Sequence, residues 1–398
     1  MSGLHDDAVA VAAEVTELRH AIHQDPEIGT DLPRTQEKVL AALAGLSVEV
    51  TPGKSLTSVT AVLRGARPGP TVLLRGDMDA LPVTERTGVP YASRVPGVMH
   101  ACGHDLHTAM LAGSVKLLAA RREELAGNVV FMFQPGEEGY HGARYMIEEG
   151  VLDAAGERPV AAYALHVSSN RLPAGHFSTR GGTMMAAADT IQVTVRGRGG
   201  HASRPSDSAD PIPAACEMVT ALQTLVTRKF DVFDPIVITV GSFHAGTADN
   251  IIPDQATFAA TVRSFSPAAR DRVTAASVAL LRGIADAHGL AVDAQYVPGY
   301  PVTVNNGAEV GFAEGVAGEA FGPDRFSIAE NPLAGAEDFS YVLEQAHGAF
   351  IMLGACPPGT EPMTAPSNHS AEAIFDDCVL ADGTAMYAEL ALRRLAPA

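Results

Sequence analysis

Apolar positions along the chain follow two different rhythms. Between residues 12 and 45 they recur at helical spacing, predicting amphipathic helices over 12–23 and 34–45, the second opened by the Leu32-Pro33 turn. Ser58 to Arg64 and Thr71 to Gly76 are β-rich runs joined by a turn over 65–70. A helix over about 105–122 follows, with Leu106, Met110, Val115 and Leu118 among its apolar positions. The runs Val129 to Phe133 and Val160 to Val167 are apolar at successive positions, as in central strands covered by helices on both faces. This half predicts a layered α/β domain.

From Asp189 the order becomes strand (190–195), helix (about 210–229), strand (236–243), strand (257–265), helix (about 267–288) and strand (290–297). That βαββαβ series is the ferredoxin-like arrangement, which closes on itself as a compact unit. Residues 188–300 are therefore expected to be an insertion in a domain built from 1–187 and 301–398. Beyond Pro301 the sequence predicts more helix, a short strand over 349–353, a proline-rich loop and a last helix from about Asp377.

Composition narrows the partners. Hydrophobic residues make up 46% of the chain and charged ones 19%, enough apolar material for two ordered domains. Twenty-eight Lys and Arg against forty-six Asp and Glu leave a net charge of −18, which repels nucleic-acid backbones and anionic lipid surfaces. The first twenty residues carry acids where a signal peptide needs a basic start, and no apolar run approaches the roughly 18 residues of a membrane span, so a cytoplasmic location is expected. Cys102, Cys216, Cys356 and Cys378 form no C-x-x-C pair and suggest neither a disulfide framework nor a zinc ribbon.

The densest chemical signal is Met99-His100-Ala101-Cys102-Gly103-His104-Asp105-Leu106-His107. Thiolate and imidazole are ligands of zinc and its neighbours, and here they sit two residues apart where a loop enters a helix. By itself the segment reads equally well as a free buried cysteine among histidines. Three further segments favour ligation: Asp77 and Asp79 follow the run 71–76, Glu137 and Glu138 follow 129–133, and His166 closes 161–165. In open α/β sheets ligands bind beyond the carboxyl ends of strands, so three such ends converge on one rim. His369, in a loop after 349–353, is a weaker candidate. Gly53-Lys54-Ser55 lacks the upstream glycine of a phosphate loop, and neither a G-x-S-x-G elbow nor an H-E-x-x-H helix is present.

With these segments, the chain resembles the metal-dependent amidohydrolases that include hippurate hydrolase, N-acyl-amino-acid amidohydrolases and indole-acetyl-amino-acid hydrolases, with aminoacylase and carboxypeptidase G as more distant relatives. The matching segments span nearly the whole chain: Arg19 to Glu27, Arg75 to Pro82, Met99 to Thr108, Phe133 to Gly139, Ala164 to His166, Gly199 to Ser203, Asn250 to Pro253 and Gly335 to Phe339. The resemblance implies a zinc-aminopeptidase-like catalytic domain of three α/β/α layers carrying an inserted ferredoxin-like lid domain that forms a homodimer or larger oligomer. It implies a two-metal centre (Zn²⁺ or Mn²⁺, with Co²⁺ or Ni²⁺ as options) held by Cys102, His104, Glu138, His166 and His369, with Glu137 as general base. His201, in a glycine-rich bend, corresponds to a histidine sent toward a neighbouring active site. Asn250 and Arg263 correspond to contacts for a substrate carboxylate, although Arg263 reads equally as a salt-bridge partner on a strand. More distant relatives place a metal-binding histidine where this chain has Asp77, so that ligand is missing here and full occupancy of the second metal site is not expected; Asp77 and Asp79 are expected to support the site from behind.

The implied activity is hydrolysis of N-acyl amino acids to a carboxylic acid and a free amino acid. A dipeptidase or N-carbamoyl-amino-acid hydrolase would use the same metal chemistry. A catalytically silent binding protein of this fold would not need Glu137 beside Glu138. A cysteine hydrolase using Cys102 and His104 is disfavoured because residues two apart at a helix entrance can hardly place thiolate and imidazole in productive contact.

Overall fold

A computed structural model describes residues 3–396, which form two compact units. The first comprises residues 3–184, 304–331 and 338–396, and the second residues 185–303 and 332–337. The short piece 332–337 belongs with the second unit, where Leu333 bridges to Met185 and its carbonyl accepts the Ala186 N–H at 3.0 Å.

The first unit is built on an eight-stranded sheet in the order Glu49–Pro52, Val59–Arg64, Ala126–Gln134, Arg67–Asp77, Ala161–Pro173, Gly348–Cys356, Phe177–Thr179, Phe326–Ile328. The four central strands, Ala126–Gln134 to Gly348–Cys356, run parallel; Val59–Arg64 and Phe177–Thr179 pair with them antiparallel on either side, and the edge strand Phe326–Ile328 runs parallel to Phe177–Thr179. Val72, Leu73 and Leu74 are buried in succession, as are Val129 to Phe133, so both faces of the sheet are covered. Helices Leu4–Gln24, His104–Ala120 and Leu380–Arg394 pack against one another, and the middle one is buried from His104 through Val115. That burial explains why its apolar residues show no single stripe: it has no solvent face over three turns.

Several elements differ from the sequence expectation. The first helix starts at Leu4, eight residues early, because Leu4 and Ala8 also reach the core. The expected turn over 65–70 lies partly within the Arg67–Asp77 strand, where Arg67 already pairs with Ala126. The strand Glu49–Pro52 and the helix Gly142–Glu148 carried no recognised signal.

The second unit has a four-stranded antiparallel sheet in the order Ile236–Ala245, Gln255–Ser264, Ala187–Arg196, Ala291–Tyr300, with helices Pro211–Lys229 and Pro267–Ala287. The βαββαβ series with its first and third strands adjacent at the centre is the ferredoxin-like topology. Its alternating burial, as in Ile191, Val193 and Val195, shows one face on a core and one face left open.

Candidate metal centre

Four segments of the first unit bring their side chains to one place. Cys102 precedes Gly103, whose φ of +83° suits glycine; a Cβ there would also lie 2.3 Å from Val167 Cγ2. This residue both turns the chain into the helix that begins at His104 and lets the loop approach the neighbouring strand. Glu137 and Glu138 follow the Ala126–Gln134 strand, and their backbone N–H groups donate to the two oxygens of Asp79 at 2.9 and 3.0 Å. Asp79 thereby fixes the acid pair by its backbone and leaves both glutamate side chains to project. His369 lies in a loop with φ +71°, its N–H donating to Ala101 O at 2.8 Å.

His166 departs from expectation. The strand does not end there but runs to Pro173. It still marks an edge, because pairing with the Arg67–Asp77 strand stops at Ala164 while pairing with Gly348–Cys356 continues past His166. The sheet opens on that side, and the Val167 N–H there donates to His107 Nε2 at 2.7 Å.

The five expected ligands are brought together. Cys102 Sγ lies 3.5 Å from His166 Nε2 and 3.3 Å from His369 Nε2, and His369 Nε2 is 3.2 Å from Glu138 Oε1. Their ligand atoms fall into overlapping groups within 4.8 Å: Cys102, His104 and His166; Cys102, Glu138 and His369; His104, Glu137 and Glu138. Cys102 and His104 each belong to two of these groups, so the groups are contiguous. Both ring nitrogens of His104 are buried without a hydrogen-bond partner among the described residues. Buried polar atoms of that kind are costly unless something else satisfies them. A thiolate, three imidazoles and a carboxylate form a donor set that suits Zn²⁺ and neighbouring divalent ions.

Electrostatics in the cluster are strongly perturbed. Hydrogen bonding to Cys102 and Glu138 pushes His369 up to about 10. Burial opposes ionisation of Glu138, but His369 and His104 together hold its carboxyl below the ordinary range. Burial drives His166 well down. For His104 burial is outweighed by the Asp77 carboxylate, which holds the ring well above its ordinary value.

Residues 73–393 match Peptidase family M20/M25/M40. The chain belongs to this family. It is 35% identical to "Thermostable carboxypeptidase 2" of Saccharolobus solfataricus, over 98% of each chain, and 36% identical to "Hippurate hydrolase" of Campylobacter jejuni, over 96% of this chain and 97% of that one. The crystal structure of the Bacillus subtilis YXEP protein, described as a dinuclear metal binding peptidase of the M20 family, superposes with a TM-score of 0.83 at 32% identity, covering 97% of this chain and 99% of that one.

Beside the cluster, this M20/M25/M40 chain holds buried polar residues, and the partners of Asp77 and Asp105 were not singled out from sequence. Asp77 accepts from Arg75 at 2.6 Å and bonds His107 Nδ1 at 2.5 Å. Burial opposes its charge, but Arg75, His104 and His107 hold the carboxyl well below its ordinary range. Arg75, fully buried, also reaches Gln134 at 2.8 Å and Asp338 at 3.0 Å. On the other side Asp105, next to His104, is held by Arg19 Nε and His23 Nδ1, both at 2.8 Å. The Arg19-to-Glu27 segment thus earns its place by fixing the first turn of the ligand helix. His100, in the densest motif, joins no ligand group; burial pulls it down to about 3, which keeps the ring neutral. Period and spacing carry no mark for such contacts; an arginine inside an apolar strand, as at Arg75, is the one usable signal.

In the second unit His201 lies on a two-residue strand, Gly200–His201, paired with Ile251–Ile252, and not in a free bend. Gly197, Gly199 and Gly200 have no positive φ; their role is close packing, since a Cβ on Gly197 would meet Ala209 O at 2.0 Å. His201 Nδ1 accepts the Ser203 N–H at 3.1 Å. A nitrogen that accepts carries no hydrogen, so the neutral ring has its N–H on Nε2. Asn250 is exposed, and its carbonyl accepts from Ala202 N at 3.1 Å. Arg263 bonds Thr261 Oγ1 at 2.6 Å and Val262 O at 3.2 Å and forms no ion pair among the described residues. No helix among the described residues is long and apolar enough to cross a membrane.

Proposed function

We propose that this protein hydrolyses the amide bond of N-acyl amino acids, releasing a carboxylic acid and a free amino acid at a two-site divalent metal centre. The observation that carries the reading is the convergence of Cys102, His104, Glu138, His166 and His369 with Glu137 beside them. Hippurate hydrolase, a relative over nearly the full length, is named for cleavage of an acyl-amino-acid amide. Zn²⁺ and Mn²⁺ suit the donor set, with Co²⁺ and Ni²⁺ as substitutes.

When bound, the cations supply Lewis acidity, acidifying water and polarising the scissile carbonyl. Glu137 then has a defined task. Its carboxylate takes a proton from the attacking water as oxygen adds to the carbonyl carbon, and returns that proton to the amide nitrogen as the C–N bond breaks. Asp79 holds the Glu137 backbone so that this carboxylate faces the ligand set and not solvent. His201, with its N–H on Nε2, donates to the developing oxyanion. Asn250 and Arg263 are assigned to the substrate carboxylate on the chemistry of amide and guanidinium donors. The second unit serves as lid and dimer interface, and the free state of all four cysteines suits a cytoplasmic enzyme.

Cys102 is only 7% exposed and its sulfur is enclosed by His166 and His369, which suits a ligand and not a nucleophile offered to substrate. The name of the Saccharolobus relative keeps peptide hydrolysis as the second reading. A panel of N-acyl amino acids, dipeptides, N-carbamoyl amino acids and longer peptides, assayed for released amino acid with metal-loaded protein, tests the choice. Preference for dipeptides or peptides would replace the acyl-amino-acid reading, and activity surviving complete metal removal would sink both.

A further inference from the structure

Cys102, His166 and His369 come from segments far apart in the chain, and one side chain reaches all three segments. Asn368 Nδ2 donates one hydrogen to Val167 O at 3.0 Å and shares the other between Cys102 O at 3.4 Å and Cys102 Sγ at 3.8 Å. Its Oδ1 accepts from Ser169 N at 3.0 Å and Ser169 Oγ at 3.1 Å. A backbone N–H can only donate and a carbonyl can only accept, so the amide has a single orientation consistent with Ser169 and Val167.

Two consequences bear on the ligands. The Val167 carbonyl that takes the Asn368 hydrogen also takes one from His166 Nδ1 at 2.9 Å. The hydrogen of that ring is therefore on Nδ1, and Nε2 is left to face Cys102 Sγ, as a ligating imidazole needs. His369, the next residue, holds a left-handed φ of +71°, uncommon without glycine. Such a backbone persists only where its surroundings over-determine it, and here the Asn368 bonds on one side and the Ala101 carbonyl on the other do so.

We propose that Asn368 is a positioning residue of the metal centre, clamping the Cys102, His166 and His369 segments in ligating register and donating a hydrogen bond to the Cys102 sulfur. The proposal rests on the reading of these residues as metal ligands. A plain loop staple would stabilise the protein equally with and without metal; a positioning residue acts chiefly on the metal-bound form.

The test uses full-length protein stripped of metal and titrated with Co²⁺ against a chromophoric chelator, with thermal midpoints recorded for both forms. Asn368→Ala is expected to bind Co²⁺ ~10- to 100-fold more weakly, the range found for lost outer-sphere partners of ligands. Its cobalt–thiolate absorption should shift, because the sulfur has lost an N–H donor, and its metal-loaded midpoint should fall further than its metal-free one. Ser169→Ala removes a hydroxyl that lies 3.1 Å from Oδ1 and 2.8 Å from Pro366 O, and should move affinity in the same direction by less, so it carries the test should Asn368→Ala fail to fold. Variants with parental Co²⁺ affinity and an unshifted band, or with equal falls in both midpoints, would overturn the proposal while leaving the metal centre standing. Parental protein that binds no Co²⁺ would overturn the metal centre itself.

Discussion

His107 Nε2 accepts the Val167 N–H at 2.7 Å while its Nδ1 bonds Asp77 Oδ1 at 2.5 Å. One imidazole thus links the end of the Arg67–Asp77 strand to the residue that follows His166. Because Nε2 accepts, the hydrogen is on Nδ1 and is donated to a carboxylate that Arg75 also neutralises. Asp77 is thus held by Arg75 on one side and by this histidine on the other.

Truncation of His107 should therefore be costly. His107→Ala leaves the buried Asp77 oxygen and the Val167 N–H without this partner, and a buried polar group left unsatisfied typically costs about 1–3 kcal/mol. Urea denaturation of metal-free protein should show that loss. A change below about 1 kcal/mol, the size of an ordinary surface effect, would mean that the contact is dispensable.

Glu137 and Glu138 should separate by what they lose. Glu137→Gln keeps shape and hydrogen bonding but removes the proton acceptor, so turnover should fall by about 10²- to 10⁴-fold with metal content unchanged. Glu138→Gln should lose metal. Elemental analysis alongside kinetics decides the matter, and the reverse pattern would exchange the two roles.

His201 should matter to turnover more than to substrate binding. His201→Ala is expected to lower kcat far more than it raises KM, because a donor to a developing oxyanion acts in the transition state. A mixed dimer pairing one His201→Ala chain with one Glu137→Gln chain should regain activity at one site if the histidine serves the neighbouring subunit. Mixed dimers as inactive as either parent would confine His201 to its own chain.

His23 should give stability a pH dependence that a variant removes. Burial opposes its charge, but Asp105 outweighs burial and raises the ring from 6.5 to about 9. A raised folded value stabilises fully below the unfolded value, so this contribution is present below pH 6.5 and is lost as the pH rises through 9. Its size is on the order of 3 kcal/mol. The stability gap between parental protein and His23→Gln, measured by urea denaturation, should narrow as the pH rises through that interval. A gap that stays constant would show that the pair does not titrate there.

By itself the sequence determined the two architectures and which groups are candidates for a metal centre. Runs buried on both faces, such as 129–133, can only be central strands of a covered sheet, and the alternation in 190–195 requires a sheet with one open face. Cysteine, histidine and paired glutamates at strand ends were legible because few other uses place such groups beside a core. What only the tertiary structure decided is how those groups are held. Arg75, His107, Asn368 and the Arg19–His23–Asp105 cluster act on partners dozens to hundreds of residues away. A hydrogen bond between distant segments leaves no periodicity in either one. It depends on register, as where the sheet opens beside His166, and register is set by the packing of the whole unit and not by any local run of residues.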